Sequence, residues 1–220
     1  MKAVIFDLDQ TLLDREQSLI SFAKWQCRGM LRTNINDENL FIARFIELDA
    51  NGTVWKDRVY ESLISEFEIQ GWSVPELLSV YELCFCGFSV PKNGVRDALD
   101  EISKNYKLGL ISNGMTPFQE RNFQSLGFAS QFESIIVSQA VDIRKPDPRI
   151  FELSCKELGI DTSEAIYVGD NPVADIEGAR DTGLHTIFIP SSVHSKCSIA
   201  DAICSDMRQL PQIINGFVDP

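Results

Sequence analysis

The strongest constraint on this 220-residue chain is a rhythm in its C-terminal part. Short apolar runs at 108–111, 134–137, 165–168 and 185–189 are separated by segments that open at a proline and close at a glycine. The run at 3–6 belongs to the same set. The runs are uninterrupted rather than alternating, the pattern of strands buried on both faces of a parallel sheet. The intervening segments run from Pro117 to Gly127, Pro148 to Gly159 and Pro172 to Gly183. Proline suits a first helical position, where its missing N–H would be unpaired anyway, and glycine suits the left-handed residue past a helix end. Thr116, Asp147 and Asn171 precede the prolines and read as N-caps, with Thr116 and Gln119 spaced as a capping box. A further helix is expected over 94–104. Strands alternating with helices predict an α/β fold with a doubly wound, mainly parallel sheet.

Residues 14–90 break the rhythm. They hold no strand-like run, and apolar residues recur at helical spacing over 18–31, 36–48, 54–67 and 74–86. Ser73 with Glu76 forms a capping box, and Asn51-Gly52 and Gly71 are turn points. The expected organisation is an α/β core over 1–13 and 91–220 with a four-helix insertion over 14–90. Trp25, Trp55 and Trp72 are expected in the core of that insertion. Trp55-Lys56-Asp57-Arg58 reads as a solvated helix start, and Cys84-Phe85-Cys86 as core or hinge packing.

The net charge of −12 argues against a nucleic acid polymer held through a general basic surface. An apolar content of 44% is ordinary for a globular chain. No apolar run approaches the roughly 20 residues of a membrane span. Six scattered cysteines and two histidines argue against zinc. The N-terminus reaches Asp7 too soon for a secretory leader, so the expectation is a cytoplasmic protein with reduced thiols. No feature of the sequence indicates an oligomeric state.

In parallel sheets, ligands bind beyond the carboxyl ends of the strands. The residues after each predicted strand are therefore informative. Asp7, Asp9 and Thr11 follow the first; Ser112, Asn113 and Gly114 the second; Lys145, at some distance, the third; Asp170, Asn171 and then Asp175 the fourth. Each group alone is a common turn. Together they bring carboxylates and one lysine to a single sheet edge. Carboxylates with room for water suit Mg²⁺. A carboxylate kept ionised beside a metal and Lys145 can attack an electrophilic phosphorus, and a second carboxylate two residues on can serve as acid and then base.

Asp7-Leu8-Asp9-Gln10-Thr11, Ser112-Asn113-Gly114, Lys145-Pro146 and Gly169-Asp170-Asn171 with Asp175 resemble, in order, the four motifs of the haloacid dehalogenase-like hydrolase superfamily. The resemblance spans the chain, and the helical insertion is similar to the small α-helical cap of that superfamily's first subclass. It implies a Rossmann-like core with the first strand central, and a Mg²⁺-dependent phosphomonoester hydrolase acting on a small phosphorylated metabolite such as a nucleotide or sugar phosphate. It further implies Asp7 as the nucleophile forming an aspartyl-phosphate and Asp9 as general acid/base. Ser112, Asn113 and Lys145 would hold the phosphoryl group. Asp7, the Asp9 carbonyl and Asp170 would hold Mg²⁺, with Thr11, Asn171 and Asp175 supporting. Asp175 would orient Lys145 or a metal-bound water.

Three other readings stand beside it. A phosphomutase can keep the same four motifs. A 2-haloacid dehalogenase needs neither Asp9 nor a metal loop. A phospho-acceptor receiver-like switch uses similar residues but places its acceptor later and lacks a large insertion after the first strand.

Overall fold

Ala3–Phe6 forms β1 because its four apolar residues are all fully buried. The chain then leaves the sheet for a run of helices: α1 (Arg15–Gly29), α2 (Glu38–Asp49), α3 (Lys56–Glu66) and α4 (Val74–Cys84). A 3₁₀ turn, Phe85–Phe88, follows. In this computed structural model, which describes residues 1–217, Arg15–Val90 is one compact unit. Met1–Asp14 and the chain from Pro91 onward make up the other.

The helical unit is built on rings. Phe22 lies within 5.4–6.5 Å of Trp25, Phe45, Tyr81, Phe85 and Phe88, measured between ring centroids. Such pairs add about 0.5–1.5 kcal/mol each beyond their area burial. Phe41, Phe45, Tyr60 and Phe85 are buried with it, and Tyr60 satisfies its hydroxyl against Gln26. The capping box at α4 is present, with Glu76 accepting from Ser73 N at 2.8 Å. The turn before α3 places Ala50, Asn51 and Gly52 at positive φ.

Two expectations fail here. None of the three tryptophans is buried in the core: Trp25 is exposed at its edge although it packs on Phe22, Trp72 is half-buried, and Trp55 is 71% exposed, because it stands outside α3 at its N-cap rather than on the inward face. Lys56 is not a solvated helix start: its side chain is buried and pairs with Asp49, while Arg58 does reach solvent.

In the other unit, α5 (Val95–Ile102) leads into β2 (Lys107–Ser112). Then come α6 (Phe118–Ser125), β3 (Phe132–Val137), the single turn α7 (Ser138–Val141), α8 (Pro148–Leu158) and β4 (Ala165–Gly169). A π-helical turn, Pro172–Glu177, runs into α9 (Gly178–Asp181). After these lie β5 (His185–Phe188), β6 (Ala202–Ile203) and α10 (Leu210–Asn215). The sheet order is β3-β2-β1-β4-β5-β6, every pair parallel, with β1 in the middle.

Side-chain alternation along β1 feeds both layers. Val4 and Phe6 pack with Val95, Leu99, Leu210 and Ile214, from α5 and α10. Ala3 and Ile5 pack with Ile150, Phe151 and Ala179, from α8 and α9. Burial on both faces is why the run reads as continuously apolar.

β3 departs from the expectation of a doubly buried strand. It is an edge strand with alternating burial, so Glu133 and Ile135 reach solvent. β6 is unpredicted, since two residues leave no periodicity to read.

Asp147 and Asn171 act as N-caps, accepting from Arg149 N and from Val173 N and Ala174 N. Gly159 and Gly183 take positive φ after their helices. The capping box expected from Thr116 and Gln119 does not form. Pro117 is itself the N-cap, so Gln119 falls one position too early for the reciprocal bond. Thr116 instead bonds Glu120.

No helix among the described residues is long and apolar enough to cross a membrane, and all six cysteines are free thiols.

Candidate active site

Asp7 directly extends β1, its N–H donating to Val168 O at 2.9 Å, so the ladder itself delivers the first carboxylate to the carboxyl edge of the sheet. The chain then turns sharply. Leu8 O accepts from the N–H groups of Thr11, Leu12 and Leu13. Gln10 sits at φ 61°, a left-handed conformation unusual for a side-chain-bearing residue. It is held from both sides: its N–H donates to Leu13 O at 2.9 Å, and its carbonyl accepts from Lys92 Nζ at 2.7 Å. Lys92 N also donates to Leu12 O, beside a bridge between Leu13 and Pro91. The two strands of chain that enter and leave the helical unit are thus stitched together next to the Asp7–Asp9 turn.

Lys145 is brought to Asp7 from the loop after α7. Its ammonium lies 2.6 Å from Asp7 Oδ1, 2.7 Å from Asp175 Oδ1, 2.8 Å from Tyr167 Oη and 2.9 Å from Ile111 O. Burial alone would lower this ammonium, but Asp175 and Asp7 outweigh it and hold Lys145 well above its usual value. Asp175 is anchored at its other oxygen by Asn171 N, 2.9 Å away. A Cβ on Gly169 would come within 2.5 Å of Asp175, so the glycine in Gly-Asp-Asn is what lets that carboxylate fold back toward Lys145.

Asp7, Asp170 and Asp175 each offer an oxygen within 4.8 Å of the others. Burial, with the neighbouring carboxylates, pushes Asp7 well above the usual carboxylate range against the pull of Lys145. Burial and then Asp175 push Asp170 up to about 6. One ammonium does not offset three buried acids. The donors are all hard oxygens in anionic excess, which fits Mg²⁺ rather than a soft metal.

Ser112 ends β2 and is buried at the same edge. Asn113 lies beside it, but its carboxamide is committed at both ends to the backbone of Lys145: Nδ2 donates to Lys145 O, and Oδ1 accepts from Lys145 N, each at 2.9 Å. In this arrangement the carboxamide braces the lysine loop. Thr11 is fully buried, and its Oγ1 has no hydrogen-bond partner among the described residues. Asn171 is occupied as the cap of the π-helical turn.

Three residues escape a reading of the sequence. Tyr167 reads only as a strand residue, yet its hydroxyl meets Lys145 and Asp175. Lys92 carries no motif. Gln119 satisfies a capping-box spacing, yet its Nε2 donates to Asp9 Oδ2 at 2.7 Å and to Ser112 Oγ at 3.0 Å. Only long-range pairing identifies these residues, and no local pattern carries it.

A family model described as Haloacid dehalogenase-like hydrolase matches residues 4–189. A glyceraldehyde 3-phosphate phosphatase of Methanothermobacter thermautotrophicus is 28% identical over 97% of this chain and all of its own length. An N-acetylmuramic acid 6-phosphate phosphatase of Pseudomonas aeruginosa is 31% identical over 86% of this chain and 81% of its own. Among solved structures, a putative beta-phosphoglucomutase from Thermotoga maritima shares the fold, with a TM-score of 0.75 at 21% identity over 98% of this chain and 99% of that one.

Proposed function

The chain belongs to the haloacid dehalogenase-like hydrolases, and on that footing we propose that it is a Mg²⁺-dependent phosphomonoesterase of small metabolites with Asp7 as its nucleophile. The observation that carries the reading is the buried Lys145 ammonium shared between Asp7 and Asp175, beside Asp170. The lysine keeps Asp7 aimed at the strand edge, and a phosphoryl oxygen entering there would share its N–H donors with the oxygens already around it.

In this reading an Asp7 oxygen attacks phosphorus, and the bond from phosphorus to the alcohol oxygen breaks. Asp9 gives its proton to that departing oxygen. Asp9, now a carboxylate, takes a proton from water, which attacks the aspartyl-phosphate, releases inorganic phosphate and restores Asp7. Ser112 Oγ and Lys145 Nζ hold the phosphoryl oxygens, while Asn113 acts by fixing the Lys145 segment and Asp175 by orienting the ammonium. Asp7, the Asp9 carbonyl and Asp170 would hold Mg²⁺, which when bound supplies charge neutralisation at the phosphoryl group. Asp9 and the acidic loop at Asp170 favour phosphoryl chemistry over dehalogenation, which requires neither.

The relatives act, by their names, on phosphorylated sugars and trioses, which supports a substrate of that size and polarity. The test is release of inorganic phosphate across a panel of phosphorylated metabolites, with Mg²⁺ or with excess chelator. Activity should depend on Mg²⁺. Asp7→Asn should fold normally and lose about a thousandfold or more in kcat, because an amide of equal volume is not an anionic nucleophile. Wild-type rates from folded Asp7→Asn would overturn the reading.

A further inference from the structure

We propose that Gln119 is a positioning residue for the phosphoryl-transfer step, one carboxamide that sets both the general acid Asp9 and the phosphate-binding hydroxyl of Ser112. The inference rests on the phosphomonoesterase reading above.

The hydrogen-bond inventory of the side chain is complete. Nε2 has two hydrogens, and both are spent: one on Asp9 Oδ2 at 2.7 Å, one on Ser112 Oγ at 3.0 Å. Oε1 accepts from Asn122 Nδ2 at 3.3 Å, which sets which end of the amide faces the site. Gln119 is buried, and so is Asn122. The room for Gln119 comes from Gly114: a Cβ there would lie 2.6 Å from Gln119 Cγ and 3.0 Å from Nε2. The glycine that follows Ser112-Asn113 is thus tied to the seating of a glutamine five residues later.

Each bond has a chemical consequence. Ser112 accepts from Gln119, so its own hydroxyl hydrogen is directed elsewhere and can be given to a phosphoryl oxygen. Asp9 accepts at Oδ2, which fixes the rotation of its carboxyl group. As the general acid gives a proton to the leaving oxygen, the N–H at Oδ2 strengthens against the new carboxylate, as charge-assisted bonds do. The help is therefore larger in the transition state than in the ground state, and only where the leaving group requires a proton.

Gln119→Met keeps the length of the side chain and removes both donors. The experiment compares an alkyl phosphate with p-nitrophenyl phosphate and measures inhibition by inorganic phosphate. In Gln119→Met, kcat/KM should fall about 100-fold for the alkyl ester but only about 10-fold for the nitrophenyl ester, since nitrophenolate leaves unprotonated. Inhibition by phosphate should weaken about threefold or more through Ser112. Gln119→Glu should be at least as impaired, because it turns an acceptor toward Asp9. Asn122→Ala frees the amide to rotate and should shift both readouts in the same direction by less; it carries the test if either Gln119 variant melts early. Combined with Ser112→Ala, Gln119→Met should weaken phosphate binding no further. Equal losses for the two esters with unchanged phosphate inhibition would overturn the proposal and leave Gln119 a packing residue. A wild-type protein that hydrolyses no phosphomonoester would instead overturn the underlying reading.

Discussion

Asp49 in the helical unit receives two cations, whereas Lys145 in the α/β unit receives two carboxylates. Arg15 grips both oxygens of Asp49, Lys56 donates to Oδ1, and Gly52 N donates to Oδ2 at 2.9 Å. The three side chains stand at the start of α1, the end of α2 and the start of α3, so one saturated carboxylate ties three helix ends together. Around Lys145 the balance is reversed, and the acids are pushed toward protonation instead of being satisfied. Both clusters are buried ion pairs. The charge ratio separates them: a carboxylate with surplus donors is a structural clamp, while an ammonium with surplus acids is poised for a metal and a phosphoryl group.

This contrast breaks if removing an acid has the same effect in both places. Asp49→Ala leaves Arg15 and Lys56 together without the carboxylate between them and should cost about 3–5 kcal/mol, the usual loss on breaking a buried pair. All three tryptophans lie in the helical unit, so fluorescence-detected urea unfolding reports it selectively. A midpoint unchanged from wild type would show that the clamp bears no load.

Asp170→Asn should act the other way when metal is withheld. The folded-state value of Asp170, about 6, lies above its ordinary range. Its stabilising protonation is complete below that ordinary range and is lost as pH rises through about 6. In chelator, the melting temperature followed by circular dichroism should fall as pH rises across this window, and Mg²⁺ should restore it. Asp170→Asn should flatten the fall and raise the melting temperature at neutral pH. A variant that melts lower than wild type in chelator at neutral pH would contradict the account of repulsion.

Trp55→Ala should produce the smallest effect. At 71% exposure the side chain has little to lose, and the change should stay within about 0.5 kcal/mol. A loss beyond 2 kcal/mol, well above that surface value, would return Trp55 to the bundle core.

The same contrast explains what was legible in the sequence. β1, β2, β4 and β5 read directly because both of their faces are buried, and the polar residues closing them, Asp7, Ser112 and Asp170, follow from that register. β3 reads as the same kind of strand only because Ser134 and the run Ile135-Ile136-Val137 hide the alternation of an edge. Local spacing misassigns Gln119, since the entry of α6 at Pro117 shifts it one helical position. Lys56 and Arg15 belong to Asp49 across separate helices, and no periodicity encodes that. Residues whose partners lie within a turn are readable. Asp7 and Lys145 are readable despite their separation because each closes or follows a strand in a motif, whereas Lys92 and Tyr167 meet the site with no motif around them.

The central place of β1 has a consequence for the order in which the protein is made. On a ribosome β1 emerges well before either strand that must flank it. Its ladders pair Ala3 with Lys107 on one side and with Ala165 on the other, so the nascent strand waits about 100 residues for one neighbour and about 160 for the next. The helices of Arg15–Val90 form a compact unit of their own, with partners close in sequence that are free to condense during that wait. Asp7 meets Lys145 and Asp175 only when translation has passed β4, so the mutually repelling acids converge late, after most of the hydrophobic surface that must outweigh them is already in hand.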